Sequence, residues 1–61
     1  MTEDQNAYLA AIKTYMAAIE NSAPTDAEID AHLTKLDELS DKLTMEERVE
    51  VFSEFDKSAS Y

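Results

Sequence analysis

Apolar residues return every three or four positions through three stretches of this chain, the spacing of one face of an amphipathic helix. In the first stretch, about residues 3–22, Tyr8, Leu9, Ile12, Tyr15, Met16 and Ile19 share a face. Ala7, Ala11 and Ala18 flank it on one side, Ala10 and Ala17 on the other; alanine has the best helix propensity. The second, about 26–42, sets Ile29, Leu33, Leu36 and Leu43 on its apolar face, with His32 and Leu39 at the edge. The third, about 45–57, sets Met45, Val49, Phe52 and Phe55 on one face, with Val51 at its edge. The core expected from these arcs is Leu9, Ile12, Met16, Ile19, Ile29, Leu33, Leu36, Val49, Phe52 and Phe55.

Each stretch is introduced by the same four-residue signal, Thr-x-x-Glu/Gln: Thr2 to Gln5, Thr25 to Glu28 and Thr44 to Glu47. In such a capping box the Thr hydroxyl accepts from the N3 amide, and the N3 side chain accepts from the cap's own N–H. Asn21, Ser22 and Pro24 are expected to close the first helix, Asn in a left-handed cap and Pro as a stop. No Gly or Pro separates the second stretch from the third. Phase separates them instead. On one continuous helix their apolar arcs would lie roughly 150° apart at about 100° per residue. A break at Lys42-Leu43-Thr44 gives each helix one inward face. The expected fold is therefore all-α, a small three-helix bundle of one domain (1–61) with a frayed tail at 58–61. The competing fold is a helical hairpin that dimerises, in which a longer helix could bury two opposite faces.

Composition narrows what such a bundle can be. Sixty-one residues bury only about 60% of their unfolded surface, so the core must be modest. There is no Cys, hence no disulfide staple and no thiolate metal site. Without an apolar run of about 18 residues, the chain is expected to be soluble, with no membrane contact and a cytoplasmic location.

The residues for common catalytic and cofactor chemistry are missing or misplaced. Glycine is absent, which removes the glycine-dependent phosphate cradles and dinucleotide turns. One His and a few Ser near helix ends fall short of a catalytic triad. His32 lies one turn after Glu28, but a zinc site needs three or four ligands. Asp26-x-Glu28-x-Asp30 has Ala31 where a calcium loop needs Gly. Leu43 to Glu47 with Phe52, Phe55, Asp56 and Lys57 resembles the entering helix of an EF-hand. The residues that follow contain neither the loop Gly nor its closing Glu. The expectation is no enzyme activity, no cofactor and no metal.

Charge is the remaining signal. Fourteen Asp and Glu oppose five Lys and Arg, a formal net charge of −9. Residues 25–61 carry eleven of those acids and four of the bases. Asp26, Asp30, Asp37 and Asp41 fall within about 60° of one another on the second helix. One-turn neighbours in that row are about 6 Å apart along the axis, comparable with the distance between phosphates on one nucleic-acid strand. The third helix adds Glu46, Glu47, Glu50 and Glu54, and Arg48 is expected to pair with the Asp row. These eight acids are the candidate partner-binding residues. In charge and size the surface resembles the small acidic DNA mimics made by phages and mobile elements. The expected function is a non-enzymatic inhibitor or regulator that docks on a basic protein, of the kind that binds nucleic acid, and not on nucleic acid itself. The alternative is a structural adaptor that pairs through apolar helix faces. Its candidate surface is the first helix, which carries only Lys13 as a charge between Gln5 and Ile19, giving a homodimer.

Overall fold

All three Thr-led signals open helices. In the computed structural model, which describes residues 1–59, α1 spans Glu3–Asn21, α2 Asp26–Asp41 and α3 Met45–Ala59. At the first cap the Thr2 N–H donates to Gln5 Oε1 at 2.8 Å, and the Gln5 N–H donates to Thr2 Oγ1 at 3.2 Å. Thr25 with Glu28 and Thr44 with Glu47 make the same reciprocal pair of bonds. Each helix also carries two acids in its first turn, where they meet the positive end of the helix dipole.

The breaks form without any left-handed residue. Among the described residues no φ is positive, which corrects the expected left-handed cap at Asn21. Instead Asn21 stays helical and its side-chain amide donates to the Ala17 carbonyl at 2.9 Å. Ser22 turns extended, and both its N–H and its hydroxyl donate to the Ala18 carbonyl. The side chains thus add second donors to carbonyls of the last full turn. α2 ends differently, by tightening: the Lys42 N–H donates to Leu39 O and the Leu43 N–H to Ser40 O, the i→i−3 bonding of a 3₁₀ turn. The change of apolar phase at 42–44 therefore marks a real break, and one continuous helix is excluded. α3 continues to Ala59, so the tail expected from 58 begins inside the helix; Ser60 and Tyr61 lie outside the described residues.

α1 packs against both other helices, while α2 and α3 scarcely touch each other. The bundle is correspondingly flat, 31 × 30 × 16 Å. That thickness is about two helices at an interaxial distance near 9 Å, so every helix keeps one broad face in solvent. The core is Tyr8, Ile12, Leu39, Leu43 and Val51, with Leu9, Ala11, Leu36 and Phe55 packed against it. It lies at one end, where the first half of α1 meets the turn between α2 and α3.

Five residues expected in the core are exposed: Met16, Ile19, Leu33, Val49 and Phe52. Conversely Leu39 and Val51, placed at the edges of their arcs, are buried, and Val51 has no exposure at all. The reason is rotation of the helices about their axes. Contacts between helices orient α3. Gln5 Nε2 donates to the Glu47 carbonyl at 3.2 Å, and one Arg48 terminal nitrogen donates to Ser40 Oγ at 3.3 Å. These turn Glu47, Arg48, Val51, Glu54 and Phe55 inward. Met45, Val49 and Phe52 are carried roughly 120° away.

Candidate functional site

The acidic helices arise from simple local chemistry. α2 and α3 are capped at their N-termini and each buries only a narrow apolar strip, leaving a wide arc in solvent that holds most of the chain's acids. On α2, Asp26, Asp30, Asp37 and Asp41 are all exposed. None takes part in an ion pair or a side-chain hydrogen bond among the described residues. The structure thus leaves them as a single solvated row along the helix. Leu33 lies on the same face between Asp30 and Asp37, and it is about half exposed.

The four candidate glutamates of α3 divide into two pairs. Glu46 and Glu50 are exposed and unpaired among the described residues. Glu47 is half-buried and its Oε1 accepts the Thr44 N–H at 2.9 Å. Glu54 is half-buried and meets Lys57 at 3.4 Å, the one ion pair among the described residues. Six of the eight candidate acids are therefore without a side-chain partner among the described residues, and two have partners within the chain. Such an exposed pair at i,i+3 contributes little to stability.

Arg48 departs from expectation. It was expected to neutralise the Asp row, but it bonds Ser40 at the end of α2. Its Nε is buried without a partner. The row consequently has no cationic partner among the described residues. His32 is half-buried and rests against the Tyr15 ring, with centroids 5.3 Å apart and planes tilted by 41°. This contact links α1 to α2 at the rim of the bundle. Among the described residues no three His, Asp or Glu side chains are grouped to hold a metal ion, and no helix is long and apolar enough to cross a membrane.

Two features of the surface were hidden from the periodicity. The first is Gln5, only 3% exposed, whose amide closes the α1 cap and reaches α3 at once. Its signal in the sequence was the choice of Gln over Glu in the first box, since only the amide has a hydrogen to donate. The second is the apolar face of α3 formed by Met45, Val49 and Phe52, exposed by 73%, 62% and 50%. Phe52 is held at its border by an edge-on contact with Tyr8, ring centroids 5.9 Å apart. The signal was an apolar arc on α3 too wide for one contact strip.

The chain matches no protein-family model, no curated protein and no solved structure.

Proposed function

We propose that this chain is a non-enzymatic binding protein that acts as an inhibitor or regulator by docking its acidic helices onto a basic protein surface. The observation that carries the reading is the row Asp26, Asp30, Asp37 and Asp41, exposed and unneutralised along α2. A bundle this small is destabilised by clustered like charge, so an unpaired row is a cost that binding to a cationic partner would offset. Glu46 and Glu50 extend the same field onto α3. The partner class is a protein with a basic groove, including those that bind nucleic acid. The row would then stand in for a phosphate backbone, as in the small acidic DNA mimics of phages and mobile elements.

The test replaces Asp30, Asp37 and Asp41 together with Asn, removing three charges at nearly constant shape. Capture of partners from the native host is then compared across rising salt. The reading expects an intact fold, slower association and a shallower dependence on salt. Unchanged affinity and salt slope in the triple variant would refute it.

A second reading, self-pairing through α1, draws on Met16 and Ile19, neighbours on that helix and both exposed. It expects assembly that resists salt and that is abolished by Met16→Ser with Ile19→Ser, while the aspartate variant assembles normally.

A further inference from the structure

We infer that the Met45–Val49–Phe52 face of α3 is a docking site for a basic amphipathic helix of a partner protein. This inference rests on the acidic reading above and adds to it an apolar anchor. The three residues are spaced i, i+4 and i+7, so they form one face about 10 Å long. They are also the three most exposed large apolar residues described in the chain, ahead of Leu33, Met1, Ile19 and Met16. Val51 and Phe55 supply the contact of α3 with the core, and Phe52 meets the bundle by its edge on Tyr8, with half of its surface left in solvent. A contiguous apolar strip left in water on so charged a chain is the kind of patch that marks an interaction surface.

The rim decides what covers it. Glu46 and Glu50 border the strip, and Asp56 continues its line one turn beyond Phe52; all three are exposed. The nearby bases are engaged elsewhere, Lys57 with Glu54 and Arg48 with Ser40. An occupant must therefore bring apolar side chains ringed by Lys or Arg. A second copy of this chain would bring a net −9 against −9, with the same three acids facing themselves. Anionic lipid and nucleic acid are repelled for the same reason. The i, i+4, i+7 spacing makes one helix face, against which the apolar face of a second helix can pack. Met45 adds an adaptable contact, and Phe52 a wall steadied by Tyr8. A bare phosphate mimic would need none of these apolar groups. Leu33, set among the aspartates of α2, repeats the combination on a smaller scale.

The probes are three synthetic peptides: a leucine–lysine helix with its leucines on one face, a scrambled peptide of the same composition, and oligolysine of equal charge. Affinity is measured by calorimetry, and contacts are mapped by the methyl and aromatic NMR signals of Met45, Val49 and Phe52. The amphipathic helix should bind most tightly and shift those signals. Met45→Ser with Val49→Ser, two exposed positions whose melting curve checks the fold, should weaken it by about tenfold or more and leave oligolysine binding unchanged. Equal binding of the scrambled peptide, or an unchanged affinity in the double variant, overturns the inference. So does concentration-dependent dimerisation that the double variant abolishes, since the face would then belong to a second copy. The acidic reading is tested separately by oligolysine against Asp30→Asn with Asp37→Asn and Asp41→Asn, so either can fail without the other.

Discussion

Where α1 begins, the Gln5 side chain is buried and bonded into α3; where α2 begins, Glu28 makes the same capping bonds in open solvent. The surroundings differ in the same way. Around the first cap lie Tyr8, Leu39, Leu43 and Val51, gathered into the core. Towards the other end of α1, Met16, Ile19 and Leu33 remain exposed, and the Tyr15 and His32 rings meet between α1 and α2. One local motif therefore serves two purposes. At the open end it only starts a helix, while at the closed end it also joins two helices. The chemical difference is one group, an amide N–H₂ in place of a carboxylate oxygen.

Substitutions that act at one end and not the other test this contrast. The largest effect is expected from Leu39→Ala, which opens a cavity in the core cluster and should cost about 2–5 kcal/mol. That is comparable with the whole stability of a core this size, so urea melts should show a largely unfolded variant. Its counterpart Leu33→Ala, at the exposed end, should melt within about 1 kcal/mol of the parent. A loss as large as that of Leu39→Ala would show that the open end is sealed in solution.

Next comes Gln5→Glu, which preserves the capping box but removes the donor to the Glu47 carbonyl and buries a charge. A loss of about 2–3 kcal/mol is expected. Glu28→Gln, the reverse change in the second box, should stay within about 0.5 kcal/mol. If the two exchanges cost the same in thermal melts, the link between α1 and α3 contributes nothing.

Phe52→Ala separates the two faces of α3. Its half-exposed ring and its edge contact with Tyr8 make a cost of about 1 kcal/mol reasonable, well below the 3–5 kcal/mol of a buried Phe. The last substitution is Thr44→Ala, expected to cost about 1 kcal/mol or slightly less from an exposed cap. Hydrogen exchange on that variant should show faster exchange confined to the first turn of α3. Uniform acceleration across the chain would mean that the cap at Thr44 stabilises the whole fold and not the start of α3 alone.

The sequence by itself determined that there are three helices, where each begins, and where the second gives way to the third. Those features are local: a Thr and its partner three residues on find each other within one turn, and a change of apolar phase needs no distant contact. It also determined the acidic row, because four residues at helical spacing share a face wherever the helix is placed. Only the tertiary structure decided which apolar residues are buried. α3 carries apolar side chains on two arcs, and either could have faced inward. Gln5 reaching Glu47 and Arg48 reaching Ser40 turn Val51 in and Met45, Val49 and Phe52 out. Those bonds join residues that periodicity treats one helix at a time. The flatness of the bundle did the rest, since with α2 and α3 hardly in contact there is no third wall to cover the faces left over.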